Sequence, residues 1–317
     1  MPTDAPIDLL PDAPALPSEE SHPVQGLLLD VDGPIASPET RTVPPGIITD
    51  LLLLAAAGWP VVFNTGRSDH FIRTQVMEPM LAVGIPAGVT FHAVCEKGGT
   101  WFSFTADGAG EVLVDEGLAL PTSFADDIRD LVEEKYAHLM FFDETKLAMV
   151  SVEQSLTATN AEYLEGQAHF DDDVVDVMHS HDMGVTRLER DEPDSSGDIA
   201  YRIDPTIIST DIESVRVGKD LGAERALTLV APLMDLPRTW RTVGDSRTDY
   251  AMADYLHDQG FDVAHVDVRP ADGIPDKPYE VLTEGPLIHE EAGAAFLARC
   301  VASLPWDAGA SDGAAPL

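Results

Sequence analysis

Two short apolar runs, residues 24–29 and 60–63, end abruptly on polar residues, the first at Asp30 and the second at Asn64-Thr65-Gly66-Arg67. Neither alternates apolar with polar positions, which suits parallel strands buried on both faces. Between them the spacing predicts a helix over about 45–57, with Gly58 placed as a left-handed C-terminal cap. An amphipathic helix over 68–83 closes at Gly84. This strand-helix-strand-helix rhythm belongs to a parallel α/β sheet. It returns late in the chain as a helix over 220–231, a strand over 240–243 that stops at Gly244-Asp245, a helix over 249–259 and a strand over 261–266.

The middle of the chain has a different pattern. It predicts a helix over 121–136, paired strands over 139–142 and 148–152, a helix over 158–170, and strands over 174–179, 185–188 and 200–203. The expected architecture is a discontinuous α/β core over 23–96 and 209–304, with an α+β module inserted over 97–208. Residues 1–22 and 305–317, rich in Pro, Ala, Gly, Asp and Ser, read as mobile tails.

Charge narrows the function classes. The 317 residues carry 19 Lys+Arg against 56 Asp+Glu, a formal net charge of −37, so nucleic acid and anionic membranes are poor partners. Hydrophobic content of 44% still supports a folded core. Only Lys97, Lys135, Lys146, Lys219 and Lys277 occur, a composition expected of a salt-saturated cytoplasm such as that of a halophilic archaeon, where counterions screen self-repulsion. Against so lysine-poor a background, each of the five is a candidate for a specific role. Cys95 and Cys300 form no ligand cluster and read as reduced, buried thiols. No apolar run approaches a spanning helix and no secretory leader pattern opens the chain, so a soluble, cytoplasmic protein is expected.

In a parallel sheet the ligand crevice lies outside the carboxyl ends of the strands. Those positions hold Asp30 and Asp32, then Thr65, then Asp245 with Asp249. Clustered carboxylates call for a cation, and hard oxygen ligands favour Mg²⁺ over zinc. Thr65 and Lys219 add a hydroxyl donor and a point charge suited to a dianionic oxygen cluster, which describes a phosphoryl site. Asp30 is then the candidate in-line nucleophile and Asp32 the candidate proton donor and acceptor.

Taken in order, Asp30-Val31-Asp32-Gly33, Thr65 in Asn-Thr-Gly-Arg, Lys219 in Gly-Lys-Asp-Leu-Gly-Ala-Glu, and Gly244-Asp245-Ser246-Arg247-Thr248-Asp249 resemble the four motifs of the haloacid dehalogenase (HAD) superfamily. The inserted module resembles the C2-type cap of its Cof-like and sugar-phosphate phosphatase branch, and Glu96-Lys97-Gly98-Gly99 resembles the turn that opens that cap. The resemblance implies a HAD-like Rossmannoid core with an inserted cap, and a Mg²⁺-dependent phosphatase acting on a small phosphorylated metabolite, a sugar phosphate or a phosphoglycolate-like compound. By the same resemblance, Asp30 forms the aspartyl-phosphate and binds the metal, while Asp32 is the acid/base and lends its backbone carbonyl to the metal. Asp245 ligates the metal directly, Asp249 acts through water or orients Lys219, and Thr65, Gly66 and Lys219 hold the phosphate. An aspartate at position 32 favours phosphoester hydrolysis over dehalogenation. Pro34 and Thr248 depart from the family pattern, which usually has Thr and Asn there.

Other functions remain open: a phosphomutase using the same aspartyl-phosphate, or a non-catalytic ligand-binding protein on the same scaffold. Arg187, Arg190 and Arg202 are candidate cap cations, and Arg67 is a candidate phosphate contact. His179 and His181 would share a face if they lay on a strand. Asp171-Asp172-Asp173 reads as a solvated turn.

Overall fold

The computed structural model describes residues 24–305, so both expected tails lie outside the described residues, save for Pro305. The first half of the core runs β1 (Gln25–Leu29), α1 (Pro45–Ala56), β2 (Val61–Asn64), α2 (Asp69–Ile72), a π-helical stretch (Arg73–Met77), α3 (Glu78–Val83) and β3 (Phe91–Cys95). The chain then reverses through β4 (Thr100–Thr105), β5 (Gly108–Ala109) and β6 (Leu113–Val114). A second unit follows: α4 (Thr122–Leu131), β7 (Met140–Phe142), β8 (Val150–Gln154), α5 (Asn160–Ser180), β9 (Val185–Arg187), β10 (Arg190–Glu192), β11 (Tyr201–Pro205) and β12 (Ser209–Ser214). The core resumes with α6 (Lys219–Val230), β13 (Thr239–Gly244), α7 (Tyr250–Asp258), β14 (Asp262–Asp267), β15 (Glu280–Leu282) and α8 (His289–Ala302).

The main sheet has the order β15-β14-β13-β1-β2-β3-β4-β5, with β6 also on β4. It is parallel from β15 to β3 and turns antiparallel at β4. The unalternating apolar runs explain its central strands. Leu27, Leu29, Val61 and Phe63 pack on one face with α1 and α8, through side chains such as Leu51 and Phe296. Leu28, Val62 and Trp240 pack on the other face with Ala226 of α6 and Leu256 of α7. Each such side chain, fully removed from water, contributes about 1.5–3 kcal/mol.

The second sheet, in the order β10-β9-β11-β12-β8-β7, is antiparallel except where β9 meets β11, and α4 and α5 cover one of its faces with Phe124, Ile128, Tyr163 and Phe170. By sheet membership the chain leaves the first sheet after Val114 and rejoins it after Ser214, where the sequence suggests 97 and 208. Among the described residues no helix is long and apolar enough to cross a membrane.

One expected element is corrected. Residues 174–179 are not a strand but the C-terminal part of α5, which begins at a capping box between Thr159 and Glu162. Its buried residues Tyr163, Gly166, Gln167, Phe170, Asp171, Val174 and Met178 recur at helical spacing. Asp171 is accordingly no turn residue: it is buried mid-helix, accepting a hydrogen bond from Thr210 Oγ1 at 2.8 Å.

His92 on β3 is buried beside Ser103 of β4, with Nδ1 2.7 Å from Ser103 Oγ, and burial pushes its pKa down to about 4. A depressed histidine contributes stability above its unfolded pKa, and that contribution fades as pH falls from about 6.5 toward 4. Urea titrations at pH 7 and pH 4.5 are expected to show His92→Gln losing about 2 kcal/mol less than wild type over that interval. Equal losses would contradict the assignment.

Candidate active site

Strands β13, β1 and β2 are adjacent and parallel, so their carboxyl ends share one edge of the sheet. Asp30 follows β1, Thr65 follows β2 and Asp245 follows β13, while Lys219 opens α6. The backbone fixes these positions: Asp30 N donates to Val243 O and Thr65 N to Val94 O, both at 2.9 Å.

Lys219 sits at the centre. Its ammonium lies 2.6 Å from Asp30 Oδ1 and 2.7 Å from Asp249 Oδ1, and it donates to Asn64 O at 2.8 Å. Asn64 Nδ2 returns a hydrogen bond to Lys219 O at 2.9 Å. Gly222 is required one turn into α6 because a Cβ there would collide with the Asn64 carboxamide. Asp249 Oδ2 accepts from Asp245 N at 3.1 Å, Ser246 N at 2.9 Å and Ser246 Oγ at 2.8 Å. One oxygen from each of Asp30, Asp245 and Asp249 lies within 4.8 Å of the others. Gly33, at φ 95, lets the loop after β1 pass against Asp245 where a Cβ would come within 2.7 Å of Oδ2.

Burial shapes the charges. It disfavours the ammonium of Lys219, but Asp249 and Asp30 outweigh it and hold the lysine above its ordinary range. Burial also raises Asp30 well above the usual carboxylate range, against the pull of Lys219 and with repulsion from Asp249 and Asp32. Asp245 is raised in the same way, by burial and then by Asp249. Asp249 goes the other way: burial is overcome by Lys219 and the Ser246 hydrogen bonds, so it keeps its charge. One ammonium thus serves several crowded, buried carboxylates, a donor set of hard oxygens that fits Mg²⁺.

Asp32 stands apart from this cluster. Arg67 grips it bidentately, Nε to Oδ2 at 2.9 Å and Nη2 to Oδ1 at 3.0 Å, and also lies 3.8 Å from Glu153 Oε1 of β8. Thr65, fully buried, accepts from Arg67 N at 3.0 Å. The Gly66 carbonyl accepts from Lys146 Nζ at 2.7 Å. Pro34 packs its carbonyl against Gly293 of α8, and the Thr248 hydroxyl meets Ser246 Oγ at 2.8 Å.

A cleft of about 360 Å³ opens over this edge, bounded by Asp32, Gly66 and Asp245 from the core and by Lys146, Glu153 and Asp211 from the second unit. The last three were not legible as site residues; Lys146 alone carried a signal, as one of five lysines. The candidate cations Arg187, Arg190 and Arg202 do not line this cleft and instead pair with Asp172 at 2.6 Å, Glu192 at 3.2 Å and Glu213 at 2.6 Å. His179 and His181 share no ligand: on the helical end of α5 they lie 3.0 Å from Glu192 and 2.7 Å from Asp127.

This architecture is the fold of HAD-superfamily phosphatases with a cap domain. A haloacid dehalogenase-like hydrolase from Bacteroides thetaiotaomicron superposes with a TM-score of 0.55 at 11% identity, over 87% of this chain and 99% of that one. Trehalose-6-phosphate phosphatase from Aspergillus fumigatus gives 0.50 at 13% identity, over 89% and 94%. A HAD-superfamily phosphatase from Bacteroides thetaiotaomicron gives 0.50 at 14% identity, over 93% and 98%. No protein-family model matches the chain, and no curated protein matches it significantly.

Proposed function

We propose that this chain is a Mg²⁺-dependent phosphohydrolase that releases phosphate from a small phosphorylated metabolite through an aspartyl-phosphate on Asp30. The observation that carries this reading is the convergence of Asp30, Asp245 and Asp249 around Lys219 at one strand edge, open to a cleft. Asp30, Asp245, Asp249 and the backbone carbonyl of Asp32 would hold Mg²⁺, which when bound neutralises phosphate charge that these carboxylates would otherwise repel.

The protein's own groups supply the rest. Thr65 and Gly66 donate to the phosphate, and Lys219 neutralises it opposite the carboxylates. An Asp30 oxygen attacks phosphorus in line, the bond to the leaving oxygen breaks, and Asp32 gives that oxygen a proton. Asp32 then takes a proton from water, which attacks phosphorus, frees inorganic phosphate and restores Asp30. The second sheet with α4 and α5 acts as the cap, excluding bulk water and selecting a sugar phosphate or phosphoglycolate-like substrate. A cytoplasmic setting belongs to the same reading, with Cys95 and Cys300 both free and buried.

An aryl phosphate in molar KCl is expected to be hydrolysed with Mg²⁺, to stop reacting on chelation, and to react again when Mg²⁺ is returned. Net phosphate release separates hydrolysis from mutase chemistry. Metal-independent turnover, or none under any condition, would overturn the proposal.

A further inference from the structure

Lys146 lies in the loop joining β7 to β8, and that loop is docked on the core at both sides of it. Before it, Thr145 Oγ1 lies 2.7 Å from Ser68 Oγ, and the Asp143 carboxylate accepts from Thr145 N at 2.9 Å. After it, the fully buried Glu96 carboxylate accepts from Leu147 N at 3.0 Å, Ala148 N at 2.8 Å and Met149 N at 3.0 Å. Glu96 is itself tied to the turn after β2, because Glu96 N donates to Arg67 O and Lys97 N to Thr65 O, both at 3.0 Å. The backbone at Glu96 is held at φ 50, a left-handed conformation that costs a non-glycine residue about 1 kcal/mol or more.

This scaffold delivers a cation. Lys146 Nζ reaches the Gly66 carbonyl at 2.7 Å and lines the cleft beside Asp32 and Arg67. One of its three donors is used there, and no carboxylate forms an ion pair with it among the described residues. In a chain with 56 acids and 19 Lys+Arg, an ammonium left without a carboxylate partner inside a cleft is matched to an anion from outside. We propose that Lys146 is a second phosphate-contacting lysine, presented by the capping unit across the phosphate from Lys219, with Glu96 as the residue that positions its loop. The inference rests on the phosphatase reading only in taking phosphate as the cleft's anion.

The bland alternative is that Lys146 merely docks the loop through the Gly66 carbonyl. Lys146→Gln separates the two, since it offers an N–H donor without the charge, and Lys146→Arg restores the charge. The affinity of the Mg²⁺-loaded protein for inorganic phosphate, read by calorimetry, needs no turnover. Lys146→Gln is expected to weaken it about 10- to 100-fold, the worth of a charge-assisted hydrogen bond, with unchanged thermal unfolding and substantial recovery in Lys146→Arg. Lys135→Ala, which removes an exposed cation paired with Asp173, is expected to leave affinity unchanged. Phosphate affinity in Lys146→Gln within about twofold of wild type would overturn the proposal. Weakened binding in a protein that hydrolyses nothing would retain Lys146 and remove the hydrolase reading, whereas wild type that binds no phosphate would remove both.

Discussion

Asp30→Asn is expected to reduce kcat for aryl phosphate hydrolysis by roughly 10⁴-fold or more, because it removes the nucleophilic oxygen while keeping the side chain's shape. Folding is expected to respond in the opposite sense. Asp30 is a buried carboxylate pushed well above its ordinary pKa by burial and by Asp249, and Lys219 retains Asp249 as a partner when Asp30 is neutral. The metal-free variant should therefore unfold at a denaturant concentration no lower than wild type. Steady-state kinetics beside urea titration checks both halves. Full activity in Asp30→Asn, or a matching loss of stability, would show that Asp30 serves the fold rather than the reaction.

Lys219→Met has the largest expected effect on stability. Lys219 is buried between Asp30 and Asp249, and removing it leaves both carboxylates without their shared cation. Stranding buried charges in this way costs about 3–5 kcal/mol. A cation that binds only the folded state recovers stability as its concentration rises above its dissociation constant. Urea midpoints are thus expected to fall sharply for Lys219→Met in chelator and to recover in part with Mg²⁺, with activity remaining severely reduced. A variant whose stability is indifferent to Mg²⁺ would mean that Asp30, Asp245 and Asp249 do not form a cation site.

The residues at strand ends were legible because the signal is local. A short apolar run that stops on a carboxylate defines both the strand and the edge where its next residue emerges, as at Leu29-Asp30 and Gly244-Asp245. Pairing β1 with β2 and β13 then brings those residues together without further information. Lys146 and Glu96 were opaque for the converse reason. Their roles come from a loop of one sheet docking on a turn of the other, residues 51 to 53 positions apart for the Glu96 contacts, and no local pattern encodes such a contact. Helix α5 departs from expectation at Val174-Val175, where adjacent β-branched residues suggest a strand, although the spacing from Tyr163 to Met178 places one continuous stripe in the core. The strands β4 to β6 and helix α8 were not anticipated either; β5 and β6 are only two residues long, too short to establish a period.

A covalent phosphoryl group at Asp30 is the central step of the proposed reaction, and trapping it is the most direct test. Wild type and Asp32→Asn, mixed with aryl phosphate and Mg²⁺, quenched in acid and digested, would be read by mass spectrometry of the peptide containing Asp30. The expected result is one phosphoryl group on Asp30, accumulating further in Asp32→Asn, where water is no longer activated for its release. Hydrolysis that proceeds with Asp30 unmodified at every quench time, or a phosphoryl group on another residue, would contradict the mechanism.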